Sequence, residues 1–268
     1  QPGGRIMTGA NVDQHGNYTS NLTLFNCYVL PSPLDSRKAI VKDSLHQMVE
    51  VMSRGGGVGM SLSALRPRYA YVKGVHGKSS GSVSWAGLFS YATGLIEQGG
   101  SRRGALMLMQ WDWHPDIIEF ISSKTAAGQI ENANISVMVS DDFMEAVKNN
   151  LDWNLEFPDY ENPAYFDIYD KTWKGDLQEW KSSGYPTKIY KTLKARDLWN
   201  KIITNAHASA EPGVVFMERY NKLSNSYYFN KIICTNPCGE QGLPGWGVCN
   251  LGHLYLASFA VKAGEDDS

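Results

Sequence analysis

The sequence predicts an α/β protein built around a parallel sheet. Short apolar runs rich in β-branched residues alternate along the chain with longer segments in which apolar residues recur at helical spacing. Glycines, prolines and capping residues separate the two kinds of segment. Alternation of this kind typically gives parallel strands joined by right-handed helical crossovers, in a sheet that is either open or closed into a barrel.

The first predicted strand covers 23–30 (TLFNCYVL), and the prolines that follow end it. Asp35 is the predicted N-cap of a helix that runs to about Arg54, where a glycine cluster beginning at Gly55 ends it. The later strands are predicted at 58–62, 105–110, 134–140, 213–217 and 247–259. The later helices are predicted at 84–98, 115–122, 141–150 and 195–210.

An insert at 151–192 interrupts this alternation with many Trp and Tyr residues among charged ones. Such rings could form a stacking platform for nucleotides or single strands. The alternative is an irregular excursion with its own small aromatic cluster. The lack of basic enrichment favours the second interpretation.

Composition excludes several classes of function. The 268 residues are 43% hydrophobic and 19% charged, with a net charge of -2, so nothing favours binding to a nucleic-acid polymer or a membrane surface. The longest apolar runs are far shorter than the roughly 18 residues that a membrane span needs. The chain begins with Gln1 and has no signal peptide, so we expect a cytoplasmic protein and a piece of something longer or processed.

Two glycine clusters, 55–59 and 99–104, follow predicted helices. Neither has the Lys-Ser/Thr of a P-loop, and both lead into strands, unlike the dinucleotide-binding fingerprint. The first is predicted to end a helix in the left-handed conformation. The second carries Arg102 and Arg103, whose guanidinium groups could reach a phosphate or a base, although a plain turn with solvated arginines explains it equally.

The four cysteines are too few for a disulfide-stabilised secreted scaffold and indicate a reducing compartment. Three of them, Cys234, Cys238 and Cys249, lie within one short window, which favours catalysis, redox exchange or metal binding. A zinc site could combine these three with Cys27 or His253. No C-x₂-C pair is present, so we predict that the chain holds no metal.

Pro237 makes the segment around Cys238 extended or looped. In an extended segment Asn236, Cys238 and Glu240 would share one face. A thiol beside an amide and a carboxylate can lose hydrogen, hold a hydroxyl and move a proton. The competing interpretation is a turn with a buried structural cysteine.

In combination these motifs resemble the large subunit of ribonucleotide reductase. NPCGEQ at 236–241 and GVCNLG at 247–252 resemble that family's active-site finger loop and the strand after it. FNCYVLPSPLDS at 25–36 resembles its first barrel strand. GGGVGMSLSALRPR at 55–68 and EQGGSRRGALMLM at 97–109 resemble its two specificity segments. The resemblance implies that 1–268 is part of an incomplete ten-stranded α/β barrel: the first parallel half, the finger loop and the start of the second half.

The resemblance also implies a role for each site residue. Cys238 would be the transient thiyl radical that takes the 3′ hydrogen atom of the ribose, Glu240 would accept the 3′-hydroxyl proton, and Asn236 would hold the ribose hydroxyls. Cys27 and Cys249 would be the dithiol that supplies two electrons and becomes a disulfide. Their Cα atoms must then approach within about 7 Å, which closure of a barrel would achieve.

Effector contacts are implied for Asp35, Arg66 and Arg102, with a nucleoside triphosphate as the ligand, while Cys234 is expected to be structural. The PCGEQ context with Gln241 is more similar to the adenosylcobalamin-dependent branch, so adenosylcobalamin is the expected cofactor and a dithiol protein such as thioredoxin the expected reductant. The alternative is the oxygen-dependent branch, which needs a radical-generating small subunit.

A homodimer and the remaining half of the barrel, from the same longer chain or from a split-gene partner, are the expected protein partners. The fragment alone should then be inactive on its ribonucleoside diphosphate or triphosphate substrate. A non-catalytic effector-binding module derived from the reductase is the other hypothesis. The complete set of three site cysteines with Asn236 and Glu240 argues against that module.

Overall fold

Among the described residues, six strands form a central sheet. The computed structural model describes residues 1–98, 102–125 and 130–260. In chain order the strands are β1 (Cys27–Val29), β2 (Gly57–Ser61), β3 (Leu106–Trp111), β4 (Asn134–Met138), β5 (Gly213–Val215) and β6 (Val248–Cys249). In space the order is β5-β4-β3-β2-β1-β6; the first five are parallel, and β6 is antiparallel to β1. The α/β prediction is confirmed, and the sheet in this chain is open.

Helices connect the parallel strands. The α-helices are Gly4–Gly9, His46–Ser53, Ser82–Leu95, Ile117–Ser122, Asp141–Asn149, Phe166–Thr172, Leu177–Ser182, Ala195–Ser209 and Met217–Leu223. A π-helical segment, Lys38–Leu45, leads into the second of these, and short 3₁₀ turns are Lys73–Val75, Pro163–Tyr165 and Leu256–Phe259. The described ranges also contain four two-stranded ribbons. These pair Tyr71–Val72 with Gly77–Lys78, Glu97–Gln98 with Arg102–Arg103, Asp152–Pro158 with Thr187–Lys194, and Cys234–Thr235 with Gly242–Leu243.

The sheet is buried on both faces, which explains why β3 reads as an unbroken apolar run. Leu106 and Leu108 belong to the main core, together with residues of the surrounding helices. Met107 and Met109 point to the opposite face, where they pack with Cys234 and other apolar residues in a second cluster. The two faces of the sheet therefore pack against different elements: one packs against the helices, and the other forms a methionine-rich surface.

The predicted cap of the first long helix is wrong. Ser36, not Asp35, caps it: the Ser36 hydroxyl accepts a hydrogen bond from the Ala39 amide at 3.1 Å, and the helix begins at Lys38. The Asp35 carboxylate instead accepts hydrogen bonds from the amide and the Nε of Arg66. A charged partner distant in sequence thus outcompetes a local cap.

The last predicted strand, 247–259, is much shorter in the structure. Only Val248–Cys249 pairs with β1, and residues 250–260 are exposed. An extended segment gains little where neither face is covered, so the apolar pattern there does not produce a long strand. The helix predicted at 84–98 likewise ends at Leu95, because residues 97 and 98 pair in a ribbon with 102 and 103.

The insert at 151–192 is more regular than expected. A ribbon of Asp152–Pro158 and Thr187–Lys194 flanks its two helices. The expected aromatic cluster is present, but its rings, Phe157, Tyr160, Tyr169, Trp173 and Trp180, are at most 5% exposed and pack against one another. Buried rings are not available to stack on bases, so the stacking-platform interpretation fails for this cluster.

No helix in the described ranges combines the length and apolar character needed to cross a membrane.

Candidate active site

The finger loop, residues 234–243, is a hairpin whose tip carries three of the predicted site residues. Cys234 and Thr235 pair with Leu243 and Gly242. The tip is a turn in which the Gly239 amide donates to the Asn236 carbonyl at 3.0 Å, and Gly239 has a φ of +84°. Of the two predicted conformations, extended or looped, the segment adopts the looped one, so the shared face expected of an extended segment does not form. Because the chain turns, Asn236 is buried and Cys238 is exposed.

Two glycines of β2 allow the finger loop to lie directly on the sheet. A Cβ atom at Gly59 would stand 1.8 Å from the Thr235 carbonyl oxygen, and one at Gly57 would stand 2.7 Å from the Pro237 ring. Gly55 ends the preceding helix with a φ of +87°, as predicted. The local pattern of this glycine cluster predicts only a helix end, and its contact with the finger loop depends on residues distant along the chain.

Cys27 and Cys249 face each other across β1 and β6. Directly opposed residues in an antiparallel pair have Cα atoms about 4.5–5.5 Å apart, inside the range that a disulfide requires. The geometric demand stated from the sequence is thus met. It is met by an antiparallel strand added to the edge of an open sheet, and not by closure of a barrel within this chain.

Asn236 joins the finger loop to this cysteine pair. Its side-chain Nδ2 lies 3.4 Å from Cys27 Sγ, and its Oδ1 accepts the Gln241 amide at 3.0 Å. The Asn236 side chain is therefore held from both ends, with its amide pointing toward a cysteine. Such an amide is a fixed hydrogen-bond donor beside the thiols.

The surroundings favour the protonated form of two thiols at this site, those of Cys238 and Cys249. Burial, followed by the Glu240 carboxylate and Cys27, raises the pKa of Cys238. Burial and then the hydrogen bond with Cys27 raise the pKa of Cys249 to about 12, and Glu240 adds to that rise. The charge of the Glu240 carboxylate thus favours the protonated form of both thiols. Neutral thiols suit hydrogen-atom transfer better than nucleophilic attack, which needs a thiolate.

Cys234 differs from the other three cysteines. It is fully buried among apolar side chains, including Val29 and Met109, and burial raises the pKa of its thiol. The described residues contain no group of three or more His, Cys, Asp or Glu side chains placed to hold a metal ion.

The cysteine site lies at the amino ends of the parallel strands. Cys27 opens β1, Gly57 opens β2, and Asn134 opens β4, where its Nδ2 donates to the Pro237 carbonyl at 2.8 Å. Ligands of open α/β sheets usually bind at the carboxyl ends. Asp35, which follows β1, lies beyond the carboxyl end of its strand. The predicted catalytic residues therefore lie at the amino ends of the parallel strands, and the predicted effector residue Asp35 lies at their carboxyl ends.

Asp35 and Arg66, the two predicted effector contacts that the structure describes, both line a cavity of about 480 Å³. The Tyr169 hydroxyl donates to Asp35 at 2.6 Å, and the Arg66 guanidinium lies over the Tyr160 ring. Both tyrosines belong to the insert, and only their position in the folded chain connects them to this cavity. The side chain of Arg102 lies outside the described part of the structure.

The cavity combines cationic and aromatic side chains. Arg37, Arg66, Lys73 and Lys78 contribute positive charge, and Trp85 contributes an aromatic wall. Cations of this kind bind phosphate oxygens, and planar rings can pack on a base. Of these four cations, Arg66 alone is among the residues predicted from the sequence.

Comparison with known proteins matches residues 25–268 to the family model described as "Ribonucleotide reductase, barrel domain". The chain is 35% identical over 249 residues to the vitamin B12-dependent ribonucleoside-diphosphate reductase of Thermoplasma acidophilum, covering 90% of this chain and 28% of that protein. It is 34% identical over 244 residues to the protein of the same description from Mycobacterium tuberculosis, covering 91% and 31%. It is 27% identical over 272 residues to a ribonucleoside-diphosphate reductase large subunit of Caenorhabditis elegans, covering 98% and 34%. The chain thus spans about a third of the length of these relatives.

Proposed function

The chain belongs to the ribonucleotide reductase barrel-domain family, and on that premise we propose that it forms part of an enzyme that reduces ribonucleotides to deoxyribonucleotides. One observation carries the proposal: Cys27 and Cys249 oppose each other on adjacent strands, beside a loop that presents Cys238. A reductive site needs a two-electron donor next to the group that activates the substrate. This arrangement supplies both.

In the proposed reaction the dithiol is oxidised and the ribose is reduced. Cys27 and Cys249 give up two electrons and two hydrogens, and an S–S bond forms between them. The C2′–O bond of the substrate breaks, the oxygen leaves as water, and a C2′–H bond takes its place. A dithiol protein such as thioredoxin would then reduce the disulfide, since exchange with an external thiol restores the pair.

The finger loop would activate the substrate. A thiyl radical at Cys238 takes the hydrogen atom from C3′ and returns it at the end of the cycle, so this residue is not consumed. Glu240 accepts the proton of the 3′-hydroxyl, which assists loss of the 2′-hydroxyl. Asn236 donates hydrogen bonds to the ribose hydroxyls from a side chain that the loop already holds in place.

Adenosylcobalamin is the proposed radical initiator, and two of the compared relatives carry vitamin B12 dependence in their descriptions. When bound, this cofactor supplies the one-electron chemistry that no amino-acid side chain here provides. Cys238 is the residue of this chain that would face it, and its exposure at the tip of the loop fits transfer from a group bound outside the sheet. A radical-generating small subunit is the alternative initiator, and the description of the Caenorhabditis elegans relative as a large subunit is in keeping with it.

The cavity that Asp35 and Arg66 line, at the carboxyl ends of the strands, is proposed to bind a nucleoside triphosphate effector. Arg66 and the neighbouring lysines would neutralise its phosphates, and Asp35 would accept a hydrogen bond from its ribose. Tyr169 and Arg66 already donate to Asp35, so an entering ribose would share or replace one of these bonds. A second copy of the chain is the proposed partner beside this cavity.

Substitution of single cysteines in the complete enzyme tests this function. Cys238→Ser should lower turnover by at least about 10³-fold, because the serine hydroxyl cannot form the radical that starts the reaction. Cys249→Ser should block multiple turnover yet still allow loss of label from C3′-tritiated substrate. Cys234→Ala is the matched control and should retain turnover. A Cys238→Ser enzyme that still forms deoxyribonucleotide would refute the proposal.

A further inference from the structure

We propose that Asn134 is a positioning residue that fixes the tip of the finger loop over the cysteine pair. Its Nδ2 donates to the carbonyl of Pro237 at 2.8 Å. That carbonyl belongs to the peptide group joined directly to Cys238, so this single bond sets the orientation of the peptide from which the thiol projects. Nothing in the motif that contains Cys238 points to Asn134, which is distant in sequence.

The anchor itself is rigid. Asn134 opens β4, an inner strand paired with β3 on one side and β5 on the other. The next amide, that of Ile135, donates to the Glu211 carboxylate at 2.8 Å, and Glu211 also forms an ion pair with Lys124. The backbone at the start of β4 is therefore tied down on several sides. A side chain leaving such a backbone can hold a loop in one place.

Few other bonds hold the tip to the sheet. The hydrogen bonds of Asn236 with Gln241 and of Gly239 with Asn236 close the turn on itself. Across the described residues, the hydrogen bonds from 236–241 to the sheet strands are those of Asn236 with Cys27 and of Asn134 with Pro237.

The two attachments differ in strength and permanence. Sulfur is a weak acceptor, and the Asn236 contact depends on the redox state of Cys27. The bond from Asn134 to a carbonyl oxygen has ordinary length and does not involve a redox group. Asn134 is therefore the anchor that persists through an oxidation and reduction cycle.

Loss of this anchor should move Cys238 relative to its neighbours. Burial, Glu240 and Cys27 together raise the pKa of the Cys238 thiol, and all three influences depend on the tip staying in place. A displacement of about 1 Å at a reacting group can cost about 10²-fold in rate. The effect on turnover rests on the proposed function, whereas the effect on the thiol does not.

The test compares Asn134→Ala and Asn134→Asp with Asn149→Ala in the full-length protein. The aspartate variant keeps the side-chain shape but loses the donor. Asn149 is a matched control, because it is also exposed and its Nδ2 also donates to a backbone carbonyl, that of Glu145, at 3.0 Å. The rate of iodoacetamide alkylation of each cysteine is followed by peptide mass spectrometry from pH 7 to 10, and the fully buried Cys234 reports any global loosening.

Both Asn134 variants should raise the alkylation rate of Cys238 at pH 8 by about tenfold, which corresponds to a fall of one unit in its apparent pKa. Cys234 should stay unmodified, and Asn149→Ala should match the wild type. In turnover, kcat should fall at least tenfold with little change in KM. Unchanged Cys238 alkylation in both variants, or equal exposure of Cys234, would overturn the proposal. If the alkylation contrast appears in a protein that reduces no ribonucleotide, the positioning stands and the proposed function fails.

Discussion

Asp112 is fully buried directly after β3, and its Oδ1 atom has no hydrogen-bond partner among the described residues. Its Oδ2 atom accepts hydrogen bonds from the amide and hydroxyl of Ser140. Burial raises the pKa of Asp112 to about 7, and the Glu218 and Asp142 carboxylates add to the rise. A buried carboxyl of this kind makes stability depend on pH.

Asp112→Asn should therefore flatten part of the pH profile of stability. Between about pH 4 and 7 the folded chain holds a proton that the unfolded chain has released, so stability falls as the pH rises through this window, by at most about 1.4 kcal/mol per pH unit. The asparagine variant cannot ionise, so its stability relative to wild type should increase steadily from pH 4 to 7. Urea unfolding at several pH values measures the difference. Asp43→Asn, at an exposed position, is the control, and a constant difference between Asp112→Asn and wild type would contradict the prediction.

The titration of His114 makes the stability of the fold depend on pH in the direction opposite to that of Asp112. The experiment therefore uses the difference in stability between the Asp112→Asn variant and the wild type. Burial lowers the pKa of His114. One ring nitrogen bonds the Leu65 carbonyl, and the other accepts the Asp116 amide, an arrangement that requires a neutral ring. Its contribution to stability is present above the ordinary histidine pKa of about 6.5 and is lost as the pH falls below it. Because Asp112→Asn leaves this effect in place, it cancels in the comparison.

At the scale of the element, the contact between β2 and the finger loop determines where the cysteines lie. The loop rests on the backbone of Gly57 and Gly59, and Met109 accepts a hydrogen bond from the Thr235 amide at 3.3 Å. Thioether side chains adapt to irregular surfaces, so the methionine face can follow the contour of a hairpin. The glycines of β2 and the methionines of β3 thus form the surface on which the finger loop packs.

Gly59→Ala should disturb this surface. The added methyl group would stand 1.8 Å from a backbone oxygen, so the loop must move or the strand must shift. Overpacking of this kind costs about 1–3 kcal/mol, and displacement of the loop should lower turnover about 10²-fold or more. Urea unfolding and turnover in the complete enzyme measure the two effects. Gly4→Ala is the control, since a Cβ there meets nothing within 4 Å, and equal behaviour of the two variants would contradict the prediction.

At the scale of the whole molecule, the sheet ends in two strands with an unpaired edge, β5 and β6, within the described residues. Large apolar side chains near these edges are exposed, including Tyr227, Tyr228, Phe229, Leu254 and Leu256. Open edges and apolar surface favour association with another protein segment. We propose that this segment is the remaining half of the barrel.

Residues 1–268 alone should therefore be inactive and prone to self-association. The cysteine pair and the finger loop would be present, but the second half of the barrel that covers the substrate would be missing. Light scattering over a range of concentrations should show a rising mass, and ribonucleotide reduction should stay at background. Addition of the remaining half of the barrel should restore a defined species. A monomeric, active 1–268 would contradict this prediction.

The sequence predicted much of this architecture, because the alternation of apolar runs and amphipathic segments reflects burial in a covered parallel sheet. The five parallel strands agree with expectation, and the strand register places Cys27 opposite Cys249, which the predicted dithiol role requires. The two errors share a cause: the helix cap at Asp35 and the long last strand were each inferred from local pattern. A contact with the distant Arg66 decided the first, and the lack of a covering segment decided the second.

By itself the sequence determined which chemical groups this protein has and the order of its strands along the chain, since composition and periodicity are local properties. Only the tertiary structure decided that the cysteine pair lies at the amino ends of the strands, with the Asn236 side chain beside Cys27. It also decided that Asn134 holds the loop and that Tyr169 bonds Asp35. These partners are far apart along the chain, and hydrogen bonds and close packing depend on distances that only the folded backbone fixes.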